Sequence, residues 1–585
     1  MSALFIPKET PFSEDQRSWL SGFYAGLHTQ MTKDASASSA ESAQALTVNV
    51  FYGTQTGNSE TVAEEVCDAI RAGGSNAVLA SLDETEVEAL TEMDYILIVT
   101  STYGEGEMPD NAEMFWEALK DTGAPRLESL QFSVLALGDT AYDEFCEAGK
   151  QFDLRLEQLG AKRIQPRVDC DVDFEEAAEG WTAGIVEELA KRKPEGASNG
   201  AAAPAAGAAP KAAKSKWTRK TPFSAPVTCN RLLSGEGSAK EIRHFEFDLS
   251  NDGPTYEAGD AMGVIPTNDP ALVSSFLERC GFNGEEAVPG KDVSLAEAMF
   301  SDFEISTPSS DFVKAIEARA NDEHLTHIVE HGDKEAMEAF LWSKDALDLL
   351  NLYPHISLSV EELVGLLKPL QHRAYSISSS SKRHPDSVHL TIASVRYNSH
   401  GRDHGGVASC FLADRVGDQP SKVFMTPNKS FRVPSNNDVP MVMVGPGTGI
   451  APFRAFLQER EAIGAKGMNW LFFGDQHAAT DFIYKDELSA MQSSGILNRL
   501  DLAFSRDQAQ KIYVQTRMQE QSKDLFSALQ DGGHFYVCGD ATRMAKDVDT
   551  ALHTIIAKEG GLSLDAAKDY VNKMKKEKRY VRDVY

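Results

Sequence analysis

The chain has 585 residues, a formal net charge of −31 and seven widely spaced cysteines. That length holds about three or four domains with separate cores, and so much negative charge would repel a phosphate backbone, which excludes nucleic acid as a partner. No stretch reaches the ~18 uninterrupted apolar residues of a membrane span, and no Cys-x-x-Cys pair or Cys/His cluster offers a disulfide frame, a metal site or an iron–sulfur centre, so chemistry needing such a centre belongs to another chain.

The opening MSALFIPKETPF lacks the charged and apolar blocks of a secretory signal, which points to a cytoplasmic protein. Residues 1–44 form an N-terminal segment. Its SWLSGFYAGL has helical apolar spacing and is either a docking or homo-oligomerising helix or one folded back on its own domain.

Over 45–193 short apolar runs alternate with amphipathic helices: LTVNVFY, SETVAEEVCDAIRA, YILIVTSTYG, AEMFWEALK, FSVLALGD. This predicts a parallel sheet covered on both faces. The turn after the first strand holds Thr54, Gln55, Thr56, Gly57, Asn58 and Ser59, a loop of hydroxyls and backbone N–H groups opening a helix. It suits a phosphate monoester, and without a lysine it is no nucleotide-hydrolysing P-loop. Two further strand ends carry Ser101, Thr102, Tyr103 and Gly104, and Leu137, Gly138, Asp139, Thr140, Tyr142 and Cys146. Loops at C-terminal strand ends face the ligand crevice, where two tyrosines can sandwich a flat ring. Acidic residues Glu105, Glu107, Asp110, Glu113 and Glu117 crowd the neighbouring loop and helix and can steer a basic partner.

Residues 194–216 are rich in alanine, proline and glycine and read as a tether; ~20 flexible residues span about 25 Å on average. From 217 to 437, alternating segments such as EIRHFEFDLS and SVHLTIASVRY predict an antiparallel barrel or sandwich, with a helical insertion at about 268–367. Arg373, Ala374, Tyr375 and Ser376 form an R-x-Y-S sequence, and Gly405, Gly406, Val407, Ala408 and Ser409 open a helix-like segment. A guanidinium and a helix N-terminus suit the phosphates of a dinucleotide, and a tyrosine stacks.

From 438 to 585 strand and helix alternate again. Residues 442–456, VMVGPGTGIAPFRAF, run from an apolar strand through a glycine turn with Gly447 and Thr448 into a helix, a place for a pyrophosphate. Ser505, Arg506, Lys511 and Tyr513, with Gln515 close by, supply two cations, a hydroxyl and a ring suited to an adenosine 2′-phosphate, which favours NADPH over NADH.

The three phosphate and ring loops of the first domain resemble flavodoxin, and R-x-Y-S with GGVAS resembles the FAD signature of ferredoxin reductases. In this order the parts resemble the diflavin reductase family over nearly the whole chain. SWLSGFYAGL, NWLFFG and RYVRDVY are most similar to its NADPH-dependent sulfite-reducing branch. The resemblance implies an α/β multidomain protein: a flavodoxin-like doubly wound domain holding FMN, then a ferredoxin-reductase-like module of antiparallel β-barrel with helical insertion and a Rossmann-like NADPH domain. It implies electron flow from NADPH to FAD to FMN and on to a sulfite-reducing haemoprotein (beta) subunit. It places Thr391, Ala393 and Tyr397 against FAD, Tyr585 on the FAD ring, and Ser376, Cys538 and Asp583 beside the hydride path. Asp547 either meets the nicotinamide nucleotide or pairs with Lys546. Tyr103 departs toward the microsomal cytochrome reductases, which leaves the poise of the FMN open. The alternative is a soluble diflavin reductase serving another haemoprotein such as a monooxygenase.

Overall fold

A computed structural model describes residues 46–104, 106–140, 144–192, 215–250, 252–331, 334–417 and 420–585. The N-terminal segment, nearly all of the proposed tether and Tyr142 lie outside the described residues.

The first sheet contains β1 (Thr47–Gly53), β2 (Asn76–Ser81), β3 (Tyr95–Ser101), β4 (Gln131–Leu137), β5 (Lys162–Arg163) and β6 (Val168–Cys170). All pairings are parallel in the order β2-β1-β3-β4-β5, with β6 also on β4. Six of the seven residues of β3 are buried, because helices cover both faces and leave no strand position for water. The chain leaves β1 toward one side of the sheet and β3 toward the other. The loops after them therefore share a crevice at the C-terminal edge.

Next come β7 (Phe223–Ala225), β8 (Val227–Leu232), β9 (Glu241–Asp248), β10 (Ala261–Ile265), β11 (Phe303–Glu304), β12 (Lys368–Pro369), β13 (Arg373–Ser376), β14 (Ser387–Ser394), β15 (Arg396–Ser399), β16 (Arg402–Gly405) and β17 (Ser421–Thr426). Two antiparallel sheets, β13-β10-β17-β7 and β14-β9-β8, meet through a bridge between Ile377 and Leu390. Their inward residues, Phe245, Phe247, Met262, Val264, Leu390 and Val423 among them, form one core. Helices from Pro270–Cys280 to Val360–Leu366 enclose a separate core around Phe276, Phe312 and Leu349. Ser294, Asp345 and Ser359 each close a capping box there, so these short helices are stopped and started by local hydrogen bonds.

The last sheet holds β18 (Met441–Val444), β19 (Asn469–Asp475), β20 (Arg499–Phe504), β21 (His534–Gly539) and β22 (Tyr580–Val584). All are parallel in the order β20-β19-β18-β21-β22. Every residue of β18 and β19 is buried between two apolar layers.

The flavodoxin-like part rests on this last sheet through charge. Lys575 pairs with Glu113 at 3.1 Å, Lys576 with Glu86 at 2.7 Å, Lys578 with Asp83 at 2.5 Å, and Arg582 Nε with Asp110 at 2.8 Å. Lys429, in the loop after β17, meets Glu64 at 2.5 Å. The acidic patch expected to steer a partner is thus partly occupied by the chain's own cations. Exposed pairs such as Lys576–Glu86 contribute about 0–1 kcal/mol each, whereas Arg582, only 19 % exposed, is bidentate on Asp110. Arg582→Glu is expected to open the molecule, seen as a larger radius of gyration in small-angle scattering, while Lys576→Glu leaves it nearly unchanged; equal behaviour of the two would deny Arg582 the leading part.

Candidate functional site

The first loop is shaped by Gly57, whose φ of +92° sets the left-handed residue before helix Asn58–Ala72. Thr54 Oγ1 accepts from Gly57 N at 2.9 Å, Asn111 Oδ1 from Thr54 N at 2.7 Å and Gln55 Oε1 from Asp110 N at 3.0 Å. These bonds brace the turn and leave Ser59 Oγ buried without a partner. An orphaned hydroxyl at a helix N-terminus fits a phosphate. Thr56 is exposed and Asn58 half-buried at the same turn.

The neighbouring loops are held from within. Thr102 Oγ1 accepts from Ala148 N at 3.2 Å, Gly104 takes φ +54°, Gly138 N donates to Cys170 O at 2.9 Å, and Thr140 Oγ1 donates to Asp171 at 2.5 Å. Cys146 is buried, and burial pushes its thiol up to about 12, so it packs rather than reacts. Ser101 and Leu137 close the strands that carry these loops, and Asp139 lies between Gly138 and Thr140. Tyr103 lies at a boundary: its hydroxyl donates to Val584 O at 3.3 Å, and its ring packs against the core of the last sheet. A β-carbon on Gly57 would lie 2.4 Å from Pro427 O, so the phosphate loop abuts the loop after β17.

In the barrel, Arg373 reaches Glu304 at 3.3 Å and backbone carbonyls of Gln371 and His372, and Ala374 is exposed beside it. Tyr375 is pushed up to about 12 by burial. Gly406 N donates to Val395 O, and Ser409 Oγ accepts from Val395 N at 3.2 Å, which joins the turn of Gly405, Gly406, Val407 and Ala408 to the end of β14. Thr391 is buried with its hydroxyl on Tyr484 Oη at 2.7 Å, while Ala393 is half-buried. The Tyr397 ring stacks on His404 with centroids 4.9 Å apart and planes 2° from parallel, yet the residue is 43 % exposed. One face is braced and the other is open, which fits a flat ligand ring.

The last sheet brings the remaining candidates together. Register pairs Cys538 on β21 with Asp583 on β22. Ser376, from the end of β13, donates to Asp583 Oδ2 at 2.6 Å, and Cys538 Sγ lies 4.0 Å from the same oxygen. Burial holds the Asp583 carboxyl above its ordinary value, against the Ser376 bond, and burial beside Asp583 pushes the Cys538 thiol up. Tyr585 is 63 % exposed and its hydroxyl meets Thr448 Oγ1 at 2.8 Å. The turn itself is tight: Gly447 has φ +58°, and a β-carbon on Gly449 would lie 2.2 Å from Cys538 O. Only glycine permits the backbone that near approach.

Arg506 and Lys511 are exposed and make no ion pair among the described residues. Ser505 N donates to Asp475 O at 2.9 Å, and Tyr513 is 45 % exposed. Asp547 accepts from Gln515 Nε2 at 3.0 Å, so its partner is Gln515 rather than Lys546. Two residues escaped the sequence reading: Lys240, from the loop before β9, donates to Asp475 at 2.6 Å. A carboxylate at the very end of NWLFFGD was the available signal, since polar residues at C-terminal strand ends face the crevice.

Three family models match successive parts of the chain. Residues 50–181 match flavodoxin, 215–411 an FAD binding domain and 443–550 an oxidoreductase NAD-binding domain. The chain is 43 % identical over 587 residues to the sulfite reductase [NADPH] flavoprotein alpha-component of Bacillus subtilis, covering 98 % of this chain and 96 % of that protein. It is 41 % identical over 583 residues to the protein of the same name from Klebsiella pneumoniae, and 40 % over 579 residues to that of Escherichia coli, with the same coverage of both chains. With the three parts in this order and likeness running from end to end, the chain belongs to the diflavin reductases, in the family of the sulfite reductase flavoprotein alpha-components.

Proposed function

We propose that this chain is the flavoprotein component of an NADPH-dependent sulfite reductase, holding FMN on residues 45–193, FAD on 217–437 and NADPH on 438–585, and passing electrons to a haemoprotein subunit that reduces sulfite to sulfide. When bound, NADPH supplies a hydride and the two flavins divide it into single electrons. The observation that carries the reading is the meeting of Ser376, Cys538 and Asp583, where the barrel's R-x-Y-S strand touches the edge of the nucleotide sheet.

Each group has a part in this reading. Ser376 and Asp583 orient the reacting rings through their short hydrogen bond, and the buried Cys538 keeps water from the hydride path. Tyr585 covers the FAD ring and moves aside for the nicotinamide, exchanging its bond to Thr448. Gly447 and Thr448 take the pyrophosphate, Ser505, Arg506, Lys511 and Tyr513 the 2′-phosphate end, and Gln515 and Asp547 the adjoining surface. Arg373, the 405–409 turn and Tyr397 hold FAD; the Arg373–Glu304 pair gives way to a phosphate. Thr54, Thr56, Gly57, Asn58 and Ser59 hold the FMN phosphate, and Tyr103 and Tyr142 flank its ring.

In this reading the contact of Tyr103 with Val584 supports transfer between flavins, and delivery to a haemoprotein needs that contact to open. No helix among the described residues is long and apolar enough to cross a membrane. The reading is of a cytoplasmic protein, with residues 1–44 as its oligomerising or docking segment.

Mixing the flavin-loaded protein with a sulfite-reducing haemoprotein is expected to give NADPH-dependent sulfide; rapid bleaching of flavin without sulfide would favour a different haemoprotein acceptor. Gly57→Ala places a β-carbon at a positive φ, costing about 1–2 kcal/mol, and at 2.4 Å from Pro427 O. Cofactor analysis should find FMN lost and FAD kept, and full retention of both would remove the loop from the FMN site. For Asp583, a raised pKa means stability present below the ordinary carboxyl range and lost as pH rises through the folded value. Asp583→Asn should therefore gain on the wild type in denaturant midpoint as pH climbs from about 4 to 7, and a difference independent of pH would show that ionised Asp583 carries no burial cost.

A further inference from the structure

A carboxylate with an unused oxygen lies beside the nucleotide turn. Asp475 is the last residue of β19 and its side chain is fully enclosed. Oδ1 accepts from Lys240 Nζ at 2.6 Å and from Gln476 N at 2.7 Å, whereas Oδ2 is buried with no hydrogen-bond partner. Such an acceptor is costly to leave unmade, so it points to a donor that arrives from outside the chain. A β-carbon on Gly447 would lie 3.7 Å from Oδ2 and 3.9 Å from Lys240 Nζ, so both groups face the turn.

The strand order decides which donor. β19 lies between β18, which leads into the Gly447 turn, and β20, which leads into Ser505 and Arg506. The Asp475 carbonyl itself accepts from Ser505 N, which ties the two loops together. A dinucleotide with its pyrophosphate on the turn and its 2′-phosphate on the loop lays its adenosine ribose across the end of β19. Phosphates offer no hydrogen to a carboxylate, and a ribose hydroxyl does.

We propose that Asp475 binds the dinucleotide, Oδ2 accepting a hydrogen bond from the 3′-hydroxyl of the adenosine ribose, while Lys240 cancels the charge that would repel the adjacent 2′-phosphate. This deepens the NADPH reading and rests on it. An acidic side chain at this strand end without a cation favours a nucleotide whose ribose hydroxyls are both free; Lys240, brought from the other side of the barrel junction, makes the acid compatible with a 2′-phosphate. Its side chain is 38 % exposed, so the ammonium can stay on Asp475 Oδ1 while also facing a phosphate on the turn, which leaves Oδ2 for the hydroxyl.

The test is calorimetric titration of the oxidised, flavin-loaded protein with 2′,5′-ADP and with its 3′-deoxy analogue. Loss of the hydroxyl should weaken binding to the wild type about tenfold and to Asp475→Ala less than about twofold, with Asp475→Asn, which keeps an acceptor oxygen and the shape, in between. An equal loss in wild type and Asp475→Ala would overturn the proposal, as would an Asp475→Ala variant weakened toward NADP+ but not toward 2′,5′-ADP, since the hydroxyl would then belong to the other ribose. Failure of the wild type to bind 2′,5′-ADP would bring down the NADPH reading first, and this assignment with it.

Discussion

The pairing of β22 with β21 is the contact on which the rest of the structure depends. It is a short strand at a sheet edge, and its alternation serves two neighbours at once. Asp583 points to Ser376 and Cys538, while Arg582 and the Val584 carbonyl engage Asp110 and Tyr103 of the flavodoxin-like part. Side chains on successive strand residues face opposite ways, so Asp583 can meet Ser376 while Arg582 meets Asp110 without either intruding on the other. An exposed edge also invites unwanted pairing, and covering it with another part of the same chain removes that hazard.

Charge is arranged on a similar plan. The molecule is strongly acidic overall, yet the last helix and strand concentrate Lys575, Lys576, Lys578 and Arg582 against acids of the flavodoxin-like part. Ion pairs of this kind let a contact form and break more readily than a large apolar interface would. Within the barrel and nucleotide parts the opposite choice is made. Arg454, only 7 % exposed, binds the Ser378 carbonyl at 2.6 Å and Glu487 at 3.0 Å, and so fixes the junction that sets Ser376 opposite Asp583.

Alternating apolar runs and helices were sufficient for two parallel sheets, since period and burial follow directly from strand spacing, and the antiparallel alternation of EIRHFEFDLS marked the barrel between them. Glycine turns were equally legible: Gly57 and Gly447 take positive φ because the backbone must turn there before a helix. What stayed hidden were pairings over long distances in the chain. Arg373, read from the sequence as a phosphate ligand, also pairs with Glu304, 69 residues away, and Asp547, expected at the nicotinamide nucleotide, accepts from Gln515.

The sequence by itself determined the three-part order and the kind of sheet in each part, because these rest on local periodicity and on the turn residues between strands. Only the tertiary structure decided that Ser376 and Cys538 converge on one oxygen of Asp583, that Tyr103 meets the last strand, and that Asp475 faces Gly447 beneath Lys240. Those contacts join residues up to 481 positions apart. They exist because separate cores pack against one another, and no local pattern in the chain encodes how they do so.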